Sequence, residues 1–156
     1  MAAQDLTLDE LALDLAPALA EAAAFDGWTE EAVNQAATLR GIDPRVAQLA
    51  YPAGAMDMIA AWIASIDAAM EQAFDPEMLA MMPVRERIRA LVWFRIEAVE
   101  GRLEALRRAM AIMAMPQNAK RSLALGWHSA DRMWRMAGDT ATDYNHYSKR
   151  AILGSI

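Results

Sequence analysis

The sequence predicts an all-α protein folded as one continuous helical domain, and three observations predict it. Ala, Leu and Met lead the 56% of apolar residues, with only 7 Gly and few β-branched runs in 156 residues, which is the usage of helices rather than sheets. Apolar side chains recur at offsets of three and four, the period of a helix with one buried face. Capping residues mark the helix starts, and Gly or Pro marks most of the ends. A chain of this length can bury a substantial core as a single unit.

Each element follows in order. Thr7-x-x-Glu10 is a capping-box pattern that opens a helical arm; Pro17 predicts a break or kink, after which the helix runs through Ala24 and ends near Asp26-Gly27. "TEEAVNQAATLRG" has Thr29 as N-cap, two Glu in the first turn and Gly41 as its stop. Asp43-Pro44 restarts the short helix "PRVAQLAY", with Pro where its missing N–H does no harm. Helix, glycine turn and short helix outline a helix-turn-helix, so residues 1–54 form that region and 55–156 the helical body.

In the body, "GAMDMIAAWIASIDAAM" sets Ile59, Trp62, Ile63, Ile66 and Met70 on one face. "DPEMLAMMP" is a Pro-initiated turn or short helix. In "VRERIRALVWFRIEAV" the stripe is Val84, Ile88, Leu91, Val92 and Val99, with Trp93 pointing away from it. After Gly101, "RLEALRRAMAIMAM" places Leu103, Leu106, Met110 and Met113 on one side and ends before Pro116. A helix from about Asn118 to Ala137 carries the stripe Leu123, Trp127, Ala130, Trp134 and Ala137; Gly138 stops it, and "DTATD" caps a last helix over about 143–153.

Charge and composition exclude several classes of function. Residues 1–60 carry ten acids against Arg40 and Arg45, a local balance of −8, whereas the remainder is +2. An acidic N-terminal third repels phosphate backbones, so no nucleic acid is expected as a partner. The first residues carry acids where a signal or transit peptide would carry Lys or Arg, and no uncharged apolar run reaches about 18 residues, so the expectation is a cytoplasmic chain without a membrane span. Zero Cys removes disulfides and thiolate chemistry. The two His, His128 and His146, form no HExxH or paired ExxH pattern, and neither a glycine-rich phosphate loop nor GxSxG is present. No catalytic residue, metal site or cofactor is therefore expected, and the chain reads as a non-enzyme.

Twelve Met and five Trp suggest a deformable apolar interior, because Met fills irregular space and adapts to ligands of variable shape. The facing stripes predict a lipid-lined cavity among the central helices, formed by Trp62, Ile66, Met70, Met81, Met82, Leu91, Leu106, Met110 and Met113.

The segment "LGWHSADRMWRMAGDTATDYNHYSKRAIL" resembles the signature of the Coq-nine family of coenzyme Q (ubiquinone) biosynthesis accessory proteins of mitochondria and alphaproteobacteria. "PVRERIRALVWFRIEAVEGRLEALRRAMAIMAMPQNA" is similar to the family's preceding helices, so the resemblance runs strongly from Val84 to Leu153 and loosely through the helix-turn-helix. It implies a TetR-repressor-like fold, with a vestigial helix-turn-helix and a dimerising body that binds lipid instead of DNA. The implied ligands are an isoprenoid quinone or a phospholipid, the implied assembly is a homodimer, and the implied partner is the di-iron demethoxyubiquinone hydroxylase, to which the precursor is presented. The partner surface carried over by the resemblance comprises Asp131, Met133, Trp134, Asp139, Asp143, Tyr144, His146, Tyr147 and Arg150, with His146 standing where eukaryotic members often carry Trp. Tyr144 is expected to pack inward, and His146, Lys149, Arg150 and Leu153 to share the outer face. Family members continue past "RAILGSI" with a Tyr- and Leu-rich helix and an amphipathic tail that touches the membrane. That tail is absent from this sequence, so the chain looks like a C-terminally truncated, alphaproteobacterial-type member, peripheral to the inner membrane. A TetR-like transcriptional regulator sensing a hydrophobic ligand is the alternative from a different class, and a purely structural dimerisation domain is the third.

Overall fold

The computed structural model describes residues 7–138, and within them every regular element is helical. In chain order these are α1 (Leu8–Asp26), α2 (Glu30–Leu39), α3 (Pro44–Leu49), α4 (Ala55–Ala73), α5 (Pro76–Ala80), α6 (Val84–Glu100), α7 (Leu103–Met113), a 3-10 turn (Pro116–Asn118) and α8 (Ala119–Gly138). The protein is all-α, as its composition requires.

Local chemistry sets the helix boundaries. Thr7 accepts from the Glu10 amide at 3.1 Å and Thr29 from that of Ala32 at 3.4 Å, while Asp43 and Asp75 accept from Arg45 and Glu77 at 2.9 and 3.0 Å. At the end of α2, Gly41 takes φ +70°, the amide of Ile42 donates to Ala37 O at 2.8 Å, and that of Gly41 to Thr38 O at 3.2 Å. This paired closure satisfies the terminal carbonyls and needs a residue that tolerates the left-handed region. Of the break or kink expected at Pro17, the break does not occur: α1 is continuous from Leu8 to Asp26 with Pro17 inside it. Pro17 and Leu13 both face solvent, so the carbonyl that loses its i+4 donor can turn to water, and the buried Leu11, Leu15 and Leu19 hold the helix on both sides of the ring.

Two apolar clusters form the interior. The larger joins Leu11, Leu15 and Leu19 of α1, Val33 of α2, Ala47 of α3, Met58, Ile59 and Trp62 of α4, and Ala105 and Ala109 of α7. Two long-range bonds pin it: Trp28 Nε1 donates to Ala105 O at 3.1 Å, and the Tyr51 hydroxyl donates to Ala12 O at 2.8 Å. Trp28 also packs against Trp62 with ring centroids 5.4 Å apart. The smaller cluster, where α4, α6 and α8 meet, holds Met70, Leu91 and Ala137 with Phe74, Ile88, Phe94, Met133 and Met136 around them.

Three helices keep only part of the face their apolar stripe predicts. In α7 the buried residues are Ala105 and Ala109, while Leu103 and Met110 face solvent. Small side chains let α7 lie close on α1, and the Trp28 bond to Ala105 O requires that approach. In α8 the buried positions are Ser129 and Ala137, and Leu123, Trp127 and Ala130 are exposed. In α6, Leu91 is buried as expected, but Val84 and Val92 are at the surface, and Trp93 points outward.

Candidate functional site

The helical body is organised around a buried polar set that apolar periodicity does not reveal. Asp67, 1% exposed, interrupts the buried face of α4 and is ion-paired to Arg95 of α6; Ser129 of α8 donates to its other carboxylate oxygen at 3.1 Å. An isolated buried carboxylate is costly, so the charge partner and the hydroxyl are what allow Asp67 to sit there. The one signal in the sequence is that Asp67 lies three residues before Met70, within the apolar row of α4.

The predicted lipid-lining residues do not converge on one cavity wall. Trp62 belongs to the larger cluster, with Ile66, Leu106 and Met113 packed on it, whereas Met70 and Leu91 are fully buried in the smaller one. Met82 is half-buried beside α6. Met81 and Met110 stand at the surface, 87% and 59% exposed, because Met81 sits on the turn between α5 and α6 and α7 turns its alanines inward.

Of the predicted partner surface, Asp131, Met133 and Trp134 lie on α8; Asp139, Asp143, Tyr144, His146, Tyr147 and Arg150 lie outside the described residues. Asp131 pairs with Arg135 one turn on, at 2.9 Å. Met133 packs inward on the smaller cluster. Trp134 is half-buried, and its indole Nε1 is buried with no hydrogen-bond acceptor among the described residues. Sequence reasoning did not single out the most exposed apolar groups of α8, Leu123 at 76% and Trp127 at 71%, as a surface. Their shared stripe looks like a core face from spacing alone.

On the α2–α3 unit Arg45 is exposed and lies 3.7 Å from the Asp43 carboxylate. Gln48, the one amide on α3, is held by Glu30 O and Asn34 Oδ1 at 2.9 and 3.0 Å, and the solvent face beside it is Val46 and Leu49. A surface groove along α2 is lined by Asp26, Glu31, Asn34, Gln35 and Thr38. Several cations are matched across the fold: Arg102 with Glu21 at 3.0 Å, Arg121 with Asp57 at 2.7 Å and Arg132 with Glu71 at 3.4 Å. Hydrogen bonds from Arg107 and Arg108 hold the Glu104 carboxyl down at about 2. Among the described residues no group of three acidic or His side chains is placed to hold a metal, and no helix is long and apolar enough to cross a membrane.

Fold and surface thus define an all-helical protein with an acidic N-terminal helical unit and a last described helix that leaves Leu123 and Trp127 exposed. Comparison with known proteins agrees with the segment that stood out in the sequence. A family model described as COQ9 matches residues 119–156, beginning at the first residue of α8. The rat "Ubiquinone biosynthesis protein COQ9, mitochondrial" is 31% identical over 83% of this chain and 44% of its own length. The human protein of that name is 30% identical over 83% of this chain and 43% of its own, and the Schizosaccharomyces pombe protein is 26% identical over 83% and 51%. The chain belongs to the COQ9 family, and it spans about half or less of the length of these relatives.

Proposed function

We propose that this chain is a non-enzymatic accessory of ubiquinone biosynthesis that binds an isoprenoid lipid and presents the demethoxy-quinone precursor to a di-iron hydroxylase. The names of its relatives support the pathway. The observation that carries the docking part is the exposure of Leu123 and Trp127 on the N-terminal half of α8. The C-terminal half of the helix supplies Met133, Met136 and Ala137 to the core, whereas Leu123 and Trp127, earlier on the helix, stand in solvent. An apolar stripe that stays in water along half its length, holding an exposed Trp, has the composition of an interface centre.

The lipid is placed at the α4–α6–α8 cluster. Met70, Met133 and Met136 surround Leu91 there, beside the edge-on pair Phe74 and Phe94. Thioether side chains re-pack around a tail at small cost, and each Å² of tail removed from water is worth roughly 25 cal/mol. The indole N–H of Trp134, which has no acceptor among the described residues, is a donor for a quinone oxygen; a buried donor without an acceptor costs about 1–3 kcal/mol, which such a ligand would relieve. Dimerisation through exposed apolar groups such as Trp93 and Ile96 of α6, a TetR-like division at residues 54 and 55, and a location peripheral to the inner membrane complete the reading.

Native mass spectrometry of the gently purified protein, followed by lipid extraction, tests the ligand, and titration with purified hydroxylase tests the docking. A co-purifying isoprenoid and a hydroxylase affinity lost on Trp127→Ser at unchanged melting temperature are the expected results. Absence of both ligand and hydroxylase binding would overturn the proposal. Sequence-specific duplex binding near physiological salt would return the chain to the regulator reading.

A further inference from the structure

Arg87 occupies an unusual place for a cation. It lies in the first turn of α6, where the helix dipole disfavours positive charge, and it is only 8% exposed. Its side chain reaches away from its own helix to the carbonyl ends of two others. Nε donates to Met82 O at 2.7 Å, Nη2 to Ala80 O at 3.2 Å and Nη1 to Ala137 O at 2.7 Å. The first two acceptors flank Met81 on the turn that ends α5; the third is in the last turn of α8, fifty positions along the chain. Helix C-terminal carbonyls lack intrahelical donors and carry partial negative charge, and a planar guanidinium can bridge several of them at fixed angles where an ammonium cannot.

We propose that Arg87 is a positioning residue that locks the α5–α6 turn to the C-terminal end of α8, so that displacement of the turn by a bound lipid is transmitted to the helix that carries the exposed Leu123 and Trp127. The inference rests on the lipid-and-docking reading above. The turn has little else to hold it: α5 is five residues long, and Leu79 is its one buried side chain. Met81, displayed almost bare between the two anchored carbonyls, is the apolar group an arriving tail meets first. Ala137 is fully buried against Met70 and Leu91, so a shift of its carbonyl is felt both in the cluster where the tail would bind and along α8. Binding of lipid and hydroxylase is then linked, and each raises the affinity for the other by the same factor.

The test uses the full chain, wild type and with Arg87→Lys or Arg87→Met, a ubiquinone with a two-isoprene tail as probe, and purified hydroxylase. Amide hydrogen exchange without ligand is read first. Arg87→Lys, which keeps the charge but loses the fork, is expected to speed exchange together at Met81–Met82 and in the last turn of α8, with α1 to α3 unchanged; acceleration at neither place, or at one alone, overturns the lock. Hydroxylase affinity is then measured with and without the quinone. The wild type is expected to gain about fivefold or more from the lipid, within the usual range of such couplings, and Arg87→Lys to lose that gain while still binding each ligand. An equal gain in the variant overturns the transmission. Wild-type protein that binds neither quinone nor hydroxylase defeats the functional reading instead, and the exchange data still decide whether Arg87 ties the two helix ends. Arg87→Met, with no donors, is expected to exceed Arg87→Lys in every exchange effect; the reverse order would count against the carbonyl contacts as the cause.

Discussion

Replacing Asp67 by Leu removes a carboxylate that is 1% exposed and leaves Arg95 with its side chain about four-fifths buried and, among the described residues, the Met70 sulfur at 3.9 Å as its remaining acceptor. Breaking a buried pair by removing one partner costs roughly 3–5 kcal/mol, because the surviving charge stays desolvated. The lower end applies here, since Arg95 keeps one-fifth of its surface in water. The hydroxyl of Ser129 loses its acceptor as well, worth up to about 1 kcal/mol. The sum is about 3–4 kcal/mol, and at about 2–4 °C per kcal/mol for a chain of this size the melting temperature should fall by roughly 6–16 °C. Urea and thermal unfolding followed by circular dichroism read it directly. The decisive comparison is the double variant Asp67→Leu with Arg95→Met, which removes both charges together and should recover most of the loss. A single-variant cost under about 1 kcal/mol, or a double variant as poor as the two singles added, would refute the claim that this pair is a desolvated, mutually dependent unit.

Three further outcomes follow from the same geometry. Trp28→Phe replaces the indole by a smaller ring and deletes its bond to Ala105 O, a carbonyl inside α7 that keeps its place in the helix ladder, so the lost bond and the space left by the indole should together cost about 1–3 kcal/mol in urea unfolding. Burial, reinforced by the Asp14 charge, pushes the Tyr51 phenol well above its ordinary pKa of 10.0. The folded state therefore holds that proton more tightly than the unfolded chain does; the stabilisation is complete below pH 10 and is lost as pH rises toward the folded value, so Tyr51→Phe should flatten the alkaline limb of the stability profile. Pro17→Ala restores an amide inside α1 at a solvent-facing position, and because Pro costs up to about 3 kcal/mol inside a helix, a gain in melting temperature is expected.

What the sequence determined by itself was local. Thr7, Thr29, Asp43 and Asp75 name their helix starts because a side-chain oxygen reaches amides two or three residues away, and Gly41 names an end because only the backbone at that point must turn left-handed. The family was legible for a different reason, a long run of unusual residue order, although six of the nine docking residues it pointed to lie outside the described residues. Which face each helix buries was decided by tertiary structure. α7 offers Leu103 and Met110 on one side and Ala105 and Ala109 on another; the alanines win because α1 and the Trp28 indole demand a close approach that larger side chains would block. α8 likewise buries Ser129, because its hydroxyl completes Asp67 from another helix, and that leaves Leu123 and Trp127 in water. Arg87 and Asp67 were invisible to periodicity for the same physical reason: a buried charge is tolerated only where its partners converge, and those partners come from other helices, up to fifty and sixty-two positions away.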